Sequence, residues 1–269
     1  MSSSGNLLSQ NRMRNPSTKF DRWWILVIIV VLLTAALVIF VPDPYQRIIL
    51  FIKNGLWTTI KVTLLSFIFV LVFGLVVALG RLSKTKIVKG IATVYVEVIR
   101  GIPILVQLFI WYFVVPSLVQ EIGASFNIQS FIDYNAEPMV MAILGLSFGY
   151  SAYMSEVYRA GIQSISKGQM EAARSLGMTY FQAMRHVILP QAVRMILPPV
   201  GNEFITLLKD SSLISVMGVA DLTRRGREFQ GKYYMAIEPW LMVALVYLIM
   251  TLLATRLVTW MEHKFKMER

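Results

Sequence analysis

Six stretches of this chain, at about 23–41, 57–80, 91–118, 138–160, 199–219 and 239–260, are long apolar runs with few charges inside them. A helix needs roughly 20 such residues to cross about 30 Å of hydrocarbon, so each run reads as a membrane-spanning helix. Helices are the expected form because they satisfy their own backbone hydrogen bonds where water is absent. The polar intervals are short, apart from Gly161–Pro198 between the fourth and fifth runs. There Ser166 can cap a helix and Gly177 can end it, which predicts a two-turn helix over Gln169–Leu176. Thr179 caps a second helix expected to stop before Pro190, and Pro198 and Pro199 suit the start of the next span.

With 56% hydrophobic and 15% charged residues among 269, the chain has more apolar surface than one soluble core can hide. The first run follows Arg12, Arg14, Lys19 and Arg22, is longer than a signal-peptide core and lacks a small-residue cleavage site. Residues 23–41 are therefore expected to persist as a transmembrane helix, and the Ser- and Asn-rich residues 1–22 to form a disordered cytoplasmic tail. The lack of cysteine excludes disulfides and thiolate chemistry, and neither His186 nor His263 has a metal-ligand spacing around it, so no metal site is expected. A net charge of +11 is read first as membrane orientation, with no nucleic-acid partner expected. With the N-terminus inside, fifteen Lys and Arg fall in inner segments and six in outer ones, which predicts cytoplasmic termini. The discordant outer loop is Asp221–Lys232, with Arg224, Arg225, Arg227 and Lys232.

Glu171-Ala172-Ala173, then Gly177, Val187 and Leu189-Pro190, follow the spacing of the EAA loop of bacterial ABC importer permeases, with Val187 where that family usually has isoleucine. Read by pattern alone, the segment also suits an amphipathic loop on the membrane interface. The likeness extends to YVEVIRGIPILVQL from Tyr95, YRAGIQSISKGQMEAARSLG from Tyr158 and LPPVGNEFITLLKDSSLISVMGVADLTRR from Leu197. These stretches resemble the polar amino acid uptake permeases of the histidine, arginine and glutamine type, and the resemblance covers roughly Asn54–Met261. It implies an all-α integral membrane protein of the bacterial inner (cytoplasmic) membrane. Its five-span type I ABC importer permease core, at 52–269, would be preceded by one additional N-terminal transmembrane helix.

The resemblance further implies that residues 166–190 couple the chain to a separate ATP-binding cassette ATPase subunit, through Glu171, Ala172, Ala173, Gly177, Leu189 and Pro190. An extracytoplasmic substrate-binding protein and a second permease, either another copy or a sister subunit, would complete the assembly in membrane lipid. No GxxxxGK[ST] occurs in the chain, so ATP and Mg are expected on the partner, and the chain itself is expected to hold no cofactor and to catalyse no reaction.

Charged residues inside spans are expensive and mark pathways. Glu203 and Asp210, seven residues apart, lie about 20° from alignment on an ideal helix, and Thr206, Leu207 and Ile214 continue the stripe. Two carboxylates on one face can hold the α-ammonium and a cationic or amide side chain of an amino acid, and the resemblance implies that these acids touch substrate. The alternative is that Glu203 only ends its span while Asp210 pairs with Lys209 or an arginine on another span. Gln107 is a further substrate candidate, beyond a break at Gly101 and Pro103 that frees the Ile99 carbonyl. Glu97 is expected to pair with Arg100 and Glu156 with Arg159, while the tryptophans read as interfacial anchors. A membrane-embedded enzyme would use Glu203 and Asp210 as an acid–base pair, but no nucleophile, metal cluster or intramembrane histidine accompanies them. A passive channel would suit the broken span but has no use for a coupling helix. The reading is thus an importer permease for basic or neutral amide amino acids.

Overall fold

The computed structural model describes residues 22–265. Residues 1–21 of the expected tail, with Arg12, Arg14 and Lys19, lie outside the described residues, as do Lys266 and Arg269. The chain begins with α1 (Arg22–Phe40), α2 (Pro42–Leu82), α3 (Lys86–Gly101), α4 (Ile104–Phe109), a π turn (Ile110–Val114), α5 (Val115–Phe126) and the single turn α6 (Gln129–Ile132). Next come α7 (Pro138–Gln163), α8 (Lys167–Ser175), α9 (Tyr180–Ala183), a second π turn (Met184–Ile188) and α10 (Leu189–Asp210). A 3-10 turn (Ser211–Met217), α11 (Leu222–Tyr233) and α12 (Glu238–Phe265) follow.

Among the described residues four stretches, Trp23–Phe40, Pro42–Leu82, Ile104–Phe126 and Glu238–Glu262, are helical, long and apolar enough to cross a membrane. The runs at 138–160 and 199–219 do not reach that standard, although each reads as a span in the sequence. The physical reason for α7 is burial: Met141, Ala142, Leu146, Tyr150, Ala152 and Met154 are enclosed by protein, as are Ser147, Ser151 and Ser155. A helix surrounded by other helices does not need lipid-compatible side chains all round. The run expected over 91–118 is divided by the break at Ile102-Pro103, which leaves α3 as a separate helix before α4. The span expected over 199–219 is instead α10, which starts ten residues earlier at Leu189 and ends at Asp210. Pro198 and Pro199 lie inside it, and the chain stays helical through Pro190. The π turn before Pro190 makes this continuity possible, because Leu189 donates to the Met184 carbonyl five residues back and the register is already shifted where the proline donor is missing. No break falls at residue 52, since α2 is helical from Pro42 to Leu82 apart from Asp43.

At 1.5 Å per residue the 41 residues of α2 extend about 60 Å, twice the hydrocarbon thickness. Its buried stripe, Ile48, Ile52, Gly55, Thr59, Val62, Thr63, Ser66, Val70, Gly74 and Ala78, is rich in small residues. Lipid tails are as apolar as leucine, so helices associate in a membrane through close backbone approach, which small residues permit. The first half of the stripe packs on α11 and α12, where Ile48 and Ile52 meet Leu222, Phe229, Met242, Val243 and Val246. The second half packs on α7, and a Cβ at Gly74 would stand 2.8 Å from Cβ and Cγ of Met154. The discordant loop is thereby explained in part: α11 is seated against α2 and α12, and Arg224 and Arg225 both pair with Glu228, at 3.0 and 2.9 Å. Helix α1 leans on α12 through Val27, Val30, Leu245 and Leu252, with most of its apolar surface exposed. Of the tryptophans, Trp23, Trp57 and Trp260 are more than half exposed, whereas Trp111, half-buried, packs at a tilt against Phe148 and Trp240 donates to Gln230.

The close approach at Gly74 predicts that Gly74→Val forces α2 and α7 apart and destabilises the protein by about 1–3 kcal/mol. Gly90→Val, at a site with nothing within 4 Å, serves as the comparison. Size-exclusion profiles of the detergent-solubilised variants after graded heating should show aggregation at lower temperature for the first variant only.

Candidate functional site

A cavity of about 470 Å³ opens where the α3–α4 break faces α7 and α10, lined by residues 100–104 with Tyr150, Tyr153, Glu203, Thr206 and Asp210. The break exists because Pro103 has no N–H to donate to the Ile99 carbonyl four residues back. Gln107 replaces that donor: its Nε2 lies 2.7 Å from the Ile99 oxygen and 2.8 Å from the Ile102 oxygen. The amide is nearly fully buried and sits against Gly149, where a Cβ would come within 2.9 Å of Gln107 Oε1. The structure therefore places Gln107 in the clasp of the break rather than on the cavity wall. The clasp holds Arg100, Gly101 and Ile102 in position beside the acids.

Glu203, Thr206 and Asp210 share the cavity face of α10, whereas Leu207 and Ile214, read from the sequence as part of the same stripe, are buried in the core. The helix ends at Asp210 and gives way to the 3-10 turn, so a straight-helix projection stops applying there. Asp210 does not pair with Lys209, which is exposed. Its Oδ2 accepts from the Tyr150 hydroxyl at 2.6 Å, a charge-assisted bond that fixes the carboxylate at the cavity edge. Arg100, expected to pair with Glu97, instead sits over the Tyr153 ring at 5.2 Å and faces the cavity. Both Arg100 and Asp210 lie within electrostatic reach of Glu203. The cavity thus offers one guanidinium and two carboxylates, the complement of a zwitterion with a further cationic or hydrogen-bonding group. Tyr150 and Tyr153 carry no sequence signal, and Arg100 reads there as the partner of Glu97, because only the fold brings α3 and α7 to the α10 stripe. Glu156 pairs with Arg159 as expected and with Arg81 of α2 as well.

At the other end of α7 the segment singled out by its spacing forms a compact projection. Ser166 caps α8 by accepting from the Gly168 N–H. Gly177, at φ +84°, ends it in a Schellman arrangement, with Met178 N–H bonded to the Ala173 carbonyl at 3.2 Å and Gly177 N–H to that of Arg174 at 3.0 Å. Thr179 and Gln182 then close a capping box on α9. Ala173 is buried within the projection, while Glu171, Ala172, Leu189 and Pro190 are exposed. Leu176, Phe181 and Tyr180 are also exposed, at 81, 70 and 59%, so the projection presents an apolar patch beside Glu171. Leu176 turns outward because the helix ends there.

A helical membrane bundle with a charged cavity on one seam and a capped polar projection at its end has the features of a transport permease. The chain belongs to the family of binding-protein-dependent transport system inner membrane components, which matches residues 70–267. It is 41% identical over 177 residues to the L-cystine transport system permease protein TcyB of Bacillus subtilis (strain 168), covering 66% of this chain and 70% of that protein. It is 36% identical to the glutamine transport system permease protein GlnP of Escherichia coli (strain K12), over 79% of this chain and 92% of the relative. The crystal structure of an amino acid ABC transporter with histidines superposes with a TM-score of 0.70 at 41% identity, covering 80% of this chain and 94% of that one. An inward-facing MetNI methionine ABC transporter, at 20% identity and a TM-score of 0.67, shares the fold.

If the Gln107 clasp holds the break, Gln107→Leu keeps the volume but leaves two carbonyls without their donor. A buried acceptor without a partner costs about 1–3 kcal/mol, so the variant should lose about 2 kcal/mol or more of stability. Thermal inactivation of the purified variant measures this, and an unchanged profile would show the clasp to be dispensable.

Proposed function

We propose that this chain is the transmembrane permease subunit of an ATP-driven importer that moves basic or neutral amide amino acids into the cytoplasm by alternating access. The observation that carries this reading is the cavity pairing Arg100 with Glu203 and Asp210, built on the same helix, α10, that continues from the capped projection. A zwitterionic substrate places its carboxylate toward Arg100 and its ammonium, or a cationic side chain, toward the acids. The relatives named for cystine and glutamine transport support an amino acid as the cargo. ATP hydrolysis belongs to a partner ATPase seated on α8, with Glu171, Ala172 and the apolar patch of Leu176 and Phe181 at the contact. An extracytoplasmic binding protein delivers the substrate on the opposite side, and a second permease, a copy or a sister, closes the pathway. In this arrangement both termini are cytoplasmic, as the charge distribution predicts.

Each carboxylate can contribute about 1.5–3 kcal/mol to a charge-assisted hydrogen bond, so losing one should weaken binding by roughly ten- to a hundredfold. Asp210→Asn, which keeps size and shape, should impair uptake of arginine, lysine or histidine far more than uptake of glutamine, and Lys209→Met should change selectivity little. Uptake by the complex reconstituted in liposomes is the test. If Asp210→Asn and Glu203→Gln both leave every affinity unchanged with assembly intact, the acids are not the binding site.

Coupling is probed at Gly177, where a side chain has open space but an unfavourable backbone conformation at φ +84°. Gly177→Val should disturb the Schellman turn by about 1–2 kcal/mol without disturbing packing. The expected result is an inserted, assembled complex whose ATPase activity is no longer stimulated by substrate-loaded binding protein. Full stimulation in that variant would contradict the coupling role.

A further inference from the structure

A second cavity, also of about 470 Å³, lies on the same seam between α7 and α10 but nearer the projection. Its wall includes Glu156, Ala160 and Ser164 of the α7 side and Met195 and Pro199 of α10. The two cavities form one series. Along α10, Met195 and Pro199 of the second are followed by Glu203, Thr206 and Asp210 of the first, at steps of four, four, three and four residues. Such steps keep all five on one helix face. Along α7, Tyr150 and Tyr153 of the first continue into Val157, Ala160 and Ser164 of the second, at steps of three, four, three and four. The helices run antiparallel, since Tyr150 meets Asp210 while Gly161 meets Ile196. From Met195 to Asp210 the seam extends about 22 Å at 1.5 Å per residue, most of the hydrocarbon thickness, and it ends at Ser164, two residues before the cap of α8. Arg100 lines both cavities.

The chemistry of the second cavity differs from that of the first. Its carboxylate, Glu156, is already engaged by Arg81 and Arg159, so it holds a cation less well than Glu203 or Asp210. Its remaining charged side chain is Arg100, beside the apolar Val157, Ala160, Met195 and Pro199. Resting on the reading of the first cavity as the substrate site, we propose that the second cavity is a weaker amino-acid subsite on the exit side, and that Arg100 carries the substrate carboxylate from one cavity to the other. The contact of Arg100 with the Tyr153 ring is a cation–π contact on a long side chain, weak enough to be exchanged as the guanidinium swings.

The chain has no cysteine, so Ala160→Cys places a single permease thiol in the second cavity. In the complex with its ATPase and binding protein in liposomes, uptake of radiolabelled L-arginine or L-glutamine, whichever the wild type transports, is compared in one preparation before and after reaction with a bulky maleimide. Labelling should reduce uptake at least tenfold, while equilibrium binding of the same amino acid to the labelled complex in detergent stays within about twofold, the effect of filling a cavity separate from the first. Unchanged uptake after complete labelling, or binding lost together with uptake, overturns the proposal. Neither result resembles the failure of the first-cavity reading, which appears as unchanged affinity in Asp210→Asn and Glu203→Gln. The carboxylate role is read from Arg100→Met: the affinity for the amino acid should fall about tenfold, and that for its α-carboxamide analogue should stay within twofold, one charge-assisted pair being lost in the first case only. Equal losses for acid and carboxamide would show that Arg100 acts only through structure.

Discussion

Hydrocarbon offers no hydrogen-bond partner to a peptide group, so the places where the helices of this protein give up their own bonds govern what the rest can do. The most consequential is the gap between α3 and α4. Pro103 removes a donor, and the buried amide of Gln107 returns two hydrogen bonds, to Ile99 and Ile102. With that gap held open inside protein rather than facing lipid, Arg100 and the backbone of residues 101–103 can stand beside the acids of α10. Without the clasp, the carbonyls of Ile99 and Ile102 would lose their donor inside the protein, and the cavity wall would lose its brace. The prolines inside α10 work within the same constraint, since their freed carbonyls fall on the stretch that borders the second cavity.

The placement of α7 makes the seam possible. Its small residues, Gly145, Ser147, Gly149 and Ser151, admit α2, α4 and the first π turn at close range, and every added Cβ at Gly145 or Gly149 would meet a neighbouring side chain within 3 Å. A helix gripped on those sides presents Tyr150 and Tyr153 toward α10, where the first receives Asp210 and the second carries Arg100. The polar side chains are tolerated because those of α7 are enclosed by protein and Glu203, Thr206 and Asp210 of α10 line a cavity.

Short connections join the seam to the projection. Ser164 lies on the wall of the second cavity, Ser166 caps α8, and the second π turn leads without interruption into α10. Helix α8 is thus joined to both helices of the seam, to the C-terminus of α7 and, through α9 and the second π turn, to the N-terminus of α10.

The all-helical membrane class, the capped projection and the acidic stripe were legible in the residues alone, because each rests on local chemistry. Apolar run length decides membrane residence, Ser166, Gly177 and Thr179 act on backbone groups within a few residues, and Glu203 and Asp210 lie on one helix face by arithmetic. The limits of that arithmetic lie where distant segments supply what local rules say is missing. Pro190, Pro198 and Pro199 look like helix boundaries by sequence, yet α10 runs through all three, supported by the π turn and by packing. Gln107 looks like a ligand donor until the fold shows which carbonyls it serves, and Arg100 looks like the partner of Glu97 until α7 brings Tyr153 beneath it. Hydrophobic runs also counted α7 among uniform spans, whereas tertiary structure enclosed it and made room for its serines. Only the three-dimensional arrangement could turn two acids on one helix into a cavity with a cation opposite, since that complement comes from residues about a hundred positions away in the chain.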